Sequence, residues 1–252
     1  MNLSRHIIIS PHLDDAVLSC GELIKHLVSS RETVLVATIF TGFPPPDDLS
    51  DAAKQYHLNC FLGDDSMLDR RSEDYKAMEY LGCKYKHLNY YECLYRKDSD
   101  GTHIYPDLKS IYNLNFEREL KVFHDLCVEL KVFCESATNI YAPFGLGNHA
   151  DHLLIRKVFD SIKDELNATV FFYEEIPYIC YYYEAGGNPN FEKILSPTIL
   201  CFSESAWQAK IDALRFYKSQ LHIMWRTEDE RQEQLVAVSK KYNACHSIRL
   251  WR

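Results

Sequence analysis

The feature that most constrains this chain is an alternation of short apolar runs with stripes of helical period. Ile7-Ile8-Ile9 is a strand-length run. After a turn, Val17, Cys20, Ile24 and Leu27 recur at i, i+3, i+7 and i+10, the spacing of one helix face. Val34 to Phe40 is a second, β-branched run that ends at Gly42, beside the breaker Pro44-Pro45-Pro46. The pattern then predicts a helix over 69–81 stopped by Gly82, a strand over 85–90 and a polar loop over 97–109. A clear helix carries Phe116, Leu120, Phe123, Leu130 and Phe133 on one face and leads into the run Ile140-Tyr141-Ala142. A helix over 151–166 precedes the run Thr169 to Phe172, and a late helix with Trp207, Ile211, Leu214 and Leu221 is expected to pack on the sheet. Repeated βα units bury a parallel sheet between two layers of helices. The expected fold is α/β, a Rossmann-like three-layer sandwich with a mostly parallel sheet, in which residues 1–252 form a single domain.

Charge and cysteine usage narrow the function classes. The chain has 36 acidic and 28 basic side chains, a formal charge of -8, and no block of Lys and Arg. It lacks the clustered cations that grip a phosphate backbone, so nucleic acid is not an expected partner. No run of about 18 apolar residues occurs, so no membrane span is expected. The three isoleucines after His6 are too few for an export signal. The nine cysteines are odd in number and form no CxxC pair; they read as reduced thiols, and the chain as cytoplasmic. A domain of this length folds on its own core, so a bound metal is expected to serve chemistry. The sequence leaves the oligomeric state open, a homo-oligomer included.

The turn after the first strand lacks G-x-G-x-x-G and reads Pro11-His12-Leu13-Asp14-Asp15. Carboxylates there would repel a dinucleotide pyrophosphate. In open parallel sheets ligands bind beyond the carboxyl ends of the strands. Two polar clusters fall at such ends: His12, Asp14 and Asp15 after the first run, and Asn148-His149-Ala150-Asp151-His152 after Ile140-Tyr141-Ala142. Together they supply the two imidazoles and one carboxylate of a divalent metal site that keeps room for water. Each cluster alone also has a bland reading, since an acidic pair ahead of a helix is often only a cap, and Asp151 begins a helix too.

At this point the residues resemble a family. Pro11-His12-Leu13-Asp14-Asp15 resembles the P-H-P-D-D-E signature of the LmbE/PIG-L family of zinc-dependent N-acetylglucosaminyl deacetylases, and His149-Ala150-Asp151-His152 is similar to its H-x-D-H motif. Weaker likenesses run from Arg70-Arg71-Ser72-Glu73-Asp74 through Tyr173-Glu174-Glu175-Ile176-Pro177-Tyr178 to Tyr217-Lys218-Ser219-Gln220. The resemblance implies a Zn2+ ion held by His12, Asp15 and His152, although two histidines and a carboxylate also suit Fe2+. It implies Asp14 as general base, a protonated His149 as oxyanion stabiliser or acid, and Asp151 as the group orienting an imidazole. Arg71 and Glu92 become candidate contacts to an N-acetylated amino sugar, with a surface ion pair as the plain alternative. Tyr178, Tyr181, Tyr182 and Tyr183, in a stretch bounded by Gly and Pro, are candidates to wall the cleft, with core packing as the plain alternative for some of them. Leu13 and Ala16 depart from the signature, where proline and glutamate are usual. Two other readings stand beside deacetylation: hydrolysis of a related amide conjugate, and ligand binding without turnover.

Overall fold

Three consecutive fully buried isoleucines can be satisfied only by a strand covered on both faces. They form the middle of β1 (Arg5–Ser10). In the computed structural model, which describes residues 5–60, 66–180 and 195–252, this strand lies inside a seven-stranded sheet of order β3-β2-β1-β4-β5-β7-β6. β2 (Thr33–Phe40), β3 (Lys84–Tyr90), β4 (Asn139–Pro143) and β5 (Thr169–Tyr173) run parallel to β1. β7 (His246–Trp251) is antiparallel to both β5 and β6 (Pro197–Phe202).

Helices α1 (Asp15–Ser29), α2 (Asp51–Asn59), α3 (Ser66–Leu81), α4 (Leu120–Phe133) and α5 (Ala150–Ile162) fill the connections between the parallel strands. Right-handed crossovers place α1 and α3 on one face and α4 and α5 on the other, because the strand order reverses between β3 and β4. The reversal makes β1 the neighbour of both β2 and β4, with Ile7 opposite Leu35 on one side and Ile140 on the other. Beyond the carboxyl ends of β1 and β4 lies the switch-point crevice in which such sheets bind ligands.

Three sequence expectations change in detail. The predicted late helix is two helices, α6 (Glu204–Leu214) and α7 (Lys218–Met224), because the chain turns at Tyr217, whose hydroxyl donates to Asp74 Oδ1 at 2.7 Å. α6 packs against α1 and α3 rather than on the sheet. The contact is close: a Cβ on Gly21 would meet Lys210 Cγ at 2.8 Å, and Lys210 forms a buried ion pair with Glu22 at 2.9 Å. In α4 the buried residues are Leu126 and Leu130, while Leu120 is 42% exposed and Phe116 precedes the helix. Cys201 and Cys245, expected as thiols, form a disulfide with Cα atoms 6.0 Å apart. The antiparallel pairing of β6 with β7 brings them together, and no sequence spacing announces that pairing. α8 (Glu228–Ser239) carries Glu228, Asp229, Glu230 and Glu233 and lies mostly in solvent. No helix among the described residues is long and apolar enough to cross a membrane.

Candidate active site

The turn from β1 into α1 is built by Ser10. Its hydroxyl accepts from the Ala16 amide at 2.9 Å and donates to the His12 carbonyl at 2.6 Å. Asp14 occupies the N-cap position, yet its side chain caps nothing. The capping alternative for the acidic pair therefore fails here: Asp14 is 8% exposed, faces the cavity, and its carboxyl has no hydrogen-bond partner among the described residues. Asp15 Oδ2 accepts the His12 amide at 2.8 Å and lies 3.3 Å from His12 Nδ1. Leu13 and Ala16, the departures from the family signature, are both about 1% exposed and serve as packing, Ala16 in the main core and Leu13 in a second cluster with Ala150 and Cys93.

The second cluster enters over a glycine turn. Gly147 holds φ +76, and a Cβ there would collide with the Tyr178 ring at 2.2 Å, so only glycine lets that ring close over the turn. His149 takes the N-cap position of α5, with Nδ1 accepting the Asp151 amide at 3.3 Å. Asp151 is thereby freed from capping. It is fully buried and accepts from His12 Nε2 at 2.8 Å, the Cys93 amide at 3.0 Å and Arg96 Nη1 at 2.5 Å. Arg96 is held in turn by Glu119 at 2.8 Å. One turn into α5, His152 is fully buried, with Nδ1 3.2 Å from Glu175 Oε1 and Nε2 3.3 Å from Asp15 Oδ2. Glu175 also accepts the Gly145 amide at 2.6 Å and the Leu146 amide at 3.2 Å.

The donor set fits a divalent metal. His152 Nε2 is buried with no hydrogen-bond partner among the described residues. His12 Nδ1 and His152 Nε2 both lie 3.3 Å from the same Asp15 oxygen. Ligands about 2.1 Å from a tetrahedral ion sit about 3.4 Å apart. The other nitrogen of each imidazole is held by a carboxylate, Asp151 for His12 and Glu175 for His152, the outer support that metal-bound histidines usually have. Residues 139 positions apart meet because β1 and β4 are adjacent strands.

Electrostatics separate the four central groups. Burial raises the Asp14 carboxyl, and the neighbouring Asp15 charge adds to it, to about 7. Burial acts on Asp15 too, but the His152 charge and bonds from both imidazoles hold it well below the usual carboxylate range. Burial disfavours the His152 cation, yet Asp15 and Glu175 raise it to about 9. His149 goes the other way, lowered well below the usual imidazole range by burial and by the nearby His12. The environment thus disfavours the protonated His149 that the sequence implies. Its Nδ1 accepts an amide, so the neutral ring carries its proton on Nε2.

A cavity of about 930 Å3 opens from this cluster. Of the two predicted sugar contacts, Glu92 lines it and Arg71 does not. Arg71 instead donates to the Thr41 carbonyl at 2.6 Å and to Asn89 at 2.8 Å, and stacks 4.4 Å over Phe43. Its neighbour Arg70 takes the cavity position, 3% exposed and paired with Glu92. Helical geometry decides between them, since adjacent residues point about 100° apart. The weaker sequence likenesses dock on one another around this pair: Ser219 donates to Glu73 at 2.6 Å, and Gln220 accepts from Tyr56 at 2.9 Å within the cavity wall. Tyr178 also lines the cavity, its ring 5.4 Å from that of His152; Tyr181, Tyr182 and Tyr183 lie outside the described residues. Arg70, Arg96 and Glu175 are the participants whose roles were not read from the sequence; Arg70 and Glu175 stand inside quoted segments, and Arg96 stands four residues after Glu92.

Fold and site together define a Rossmann-like α/β protein with imidazoles and carboxylates converging at its switch point. The chain matches the family described as PIG-L: GlcNAc-PI de-N-acetylase over residues 7–163 and belongs to it. It is 25% identical over 188 residues to 2'-N-acetylparomamine deacetylase from Niallia circulans, an alignment that spans 68% of this chain and 66% of that protein. Among solved structures it is similar to a zinc-inhibited form of teicoplanin deacetylase, with a TM-score of 0.87 at 24% identity over 98% of this chain and 97% of that one. It is also similar to N,N'-diacetylchitobiose deacetylase from Pyrococcus horikoshii, with a TM-score of 0.59 at 17% identity over 100% and 84% of the two chains. At these identities the structural likeness is one of fold.

Proposed function

We propose that this chain is a metal-dependent hydrolase that removes the N-acetyl group from an N-acetylated amino sugar carried in a conjugate, releasing acetate and a free amine. The observation that carries the reading is the meeting of His12 Nδ1, His152 Nε2 and Asp15 Oδ2 beside the partnerless Asp14 carboxyl at the floor of a large cleft. The family, and relatives named as a 2'-N-acetylparomamine deacetylase and a teicoplanin deacetylase, support it.

His12, Asp15 and His152 would hold the ion. Zinc so bound lowers the pKa of a water to about 7 and polarises the amide carbonyl. Asp14 sits to take the water's remaining proton and to hand it to the departing nitrogen, which must leave as an amine. A carboxyl that burial raises from the usual carboxylate range, with no hydrogen-bond partner among the described residues, is suited to both transfers. His149 offers a neutral Nε2–H toward the cavity, where negative charge grows on the acetyl oxygen; removing one such donor costs about 3 kcal/mol of transition-state stabilisation. Asp151 fixes the His12 ring and orders the start of α5. Arg70 and Glu92, as a buried donor and acceptor facing the cleft, would bind sugar hydroxyls. The cleft volume lies near the upper end of the roughly 300–1,000 Å3 common for ligand sites, so there is room for more than one sugar ring.

The experiment is incubation of zinc-loaded protein with a panel of N-acetylglucosamine conjugates, with free amine and acetate both measured. Amine without acetate would assign the related amidase reaction instead. Tight binding with neither product would replace the reading by ligand binding without turnover.

A further inference from the structure

Cys93 opens the short 3-10 turn Cys93–Tyr95 that follows Glu92. Its thiol is buried, borders the cavity and takes no part in the reaction above. Its Sγ, a ring nitrogen of His149 and a carboxylate oxygen of Asp151 all lie within 4.8 Å of one another. His149 is 8% exposed, and one of its ring nitrogens has no hydrogen-bond partner among the described residues. Asp151 accepts three hydrogen bonds, which leaves one of its roughly four lone-pair positions.

We propose that Cys93, His149 and Asp151 form a second divalent-cation site beside the His12, Asp15 and His152 cluster, selective for thiophilic ions such as Zn2+ and Cd2+, and that filling it inhibits the enzyme. One sulfur, one nitrogen and one oxygen are a donor set for zinc or cadmium rather than magnesium or calcium. The open cavity supplies water for the fourth position. The sulfur–metal bond forms as the thiol proton leaves to solvent. The two sites differ in preorganisation. At the first, both imidazole nitrogens already stand 3.3 Å from the Asp15 oxygen; at the second, Asp151 is already engaged by His12, the Cys93 amide and Arg96 and must share its oxygens with the ion. The second ion therefore binds more weakly and enters only when metal exceeds one equivalent. Once there it occupies His149 and removes the oxyanion donor. That inhibition, though not the site, rests on the deacetylase reading.

The test begins with metal-stripped protein dialysed against Zn2+ and assayed for bound metal. Wild type is expected to hold two equivalents, Cys93→Ala one, and His152→Ala one, with melting curves recorded to check that both variants are folded. Titration with Co2+ adds a direct signature. A thiolate-to-cobalt charge-transfer band should grow with the second equivalent in wild type and with the first in His152→Ala, and be missing in Cys93→Ala. Excess zinc should slow wild-type turnover by about 10²-fold, the effect of losing one oxyanion donor, while Cys93→Ala keeps its basal rate. One equivalent in folded wild type, or two equivalents with no thiolate band, overturns the second site and leaves the deacetylase reading intact. Two equivalents and a thiolate band, with no turnover at one equivalent, uphold the site and overturn that reading.

Discussion

The two ends of the cleft are built on opposite terms. At the inner end every carboxylate except Asp14 is tied to a cation or an amide, through Asp15 to two imidazoles, Asp151 to Arg96 and His12, and Glu175 to His152 and two backbone amides. His12 and Asp15 hang from the junction of β1 with α1, Asp151 and His152 from that of β4 with α5, and Glu175 from the end of β5, so the sheet itself fixes their spacing. At the outer end the wall is formed by Ile223 and Met224, carried on the two-turn helix α7. Ile223 is 43% exposed and Met224 half-buried. The inner end has one geometry enforced by buried charge, while the outer end is an adaptable apolar surface of a kind that scaffolds vary to change partner. We therefore assign reaction type to the first and conjugate selection to the second.

The hardest break is at the inner end. Asp14→Asn should lower kcat by about 10²- to 10⁴-fold with zinc content unchanged, since it removes only proton transfer; kcat within twofold of wild type would take Asp14 out of the reaction. Arg96→Met should cost about 3–5 kcal/mol of stability, because it strands the buried carboxylates of Asp151 and Glu119. Urea denaturation reads this, and a loss under 1 kcal/mol would mean that the network is not what holds Asp151. Arg70→Lys should raise KM about tenfold with little change in kcat, the loss of one hydrogen bond to a charged group. At the outer end, Ile223→Ala should reduce kcat/KM on large conjugates by about tenfold and leave small N-acetylhexosamine substrates nearly unaffected. Equal losses on both would erase the contrast between the two ends.

The smallest effect lies outside the cleft. Burial lowers the pKa of His6 from 6.5, against the pull of Glu32. The unfolded chain then takes up its proton first as pH falls, so this contribution to stability is complete above about 6.5 and declines as pH drops through and below that value. In His6→Gln, melting temperature should fall less steeply between pH 7.5 and pH 5.5 than in wild type, about one proton's worth of linkage.

How much of this was legible in advance varied with the kind of interaction. The central parallel strands β1, β2, β4 and β5 announced themselves as apolar runs because a strand buried on both faces must be apolar throughout, while β3 at the sheet's edge is polar and largely exposed. The antiparallel pair at the far edge did not, since β6 is largely exposed and its partner is chosen by docking rather than by local pattern. His12, Asp15, His149 and His152 were legible because each follows a strand end closely. Arg70 against Arg71 was not, because both neighbours are arginine and only the pitch of α3 and its seating on α1 decide which one faces the cleft.

The sequence by itself determined the βα alternation, the acidic turn where a dinucleotide site would need glycines, and the pairing of two histidine-carboxylate motifs. These follow from local periodicity and side-chain chemistry, which neighbouring residues largely settle. Only the tertiary structure decided that Asp14 lacks a partner while Asp15 has two, that His149 rather than Asp151 caps α5, and that a thiol stands beside them. Those outcomes depend on which groups from distant segments meet in a place without water, where each unpaired charge is costly and partners are assigned by geometry.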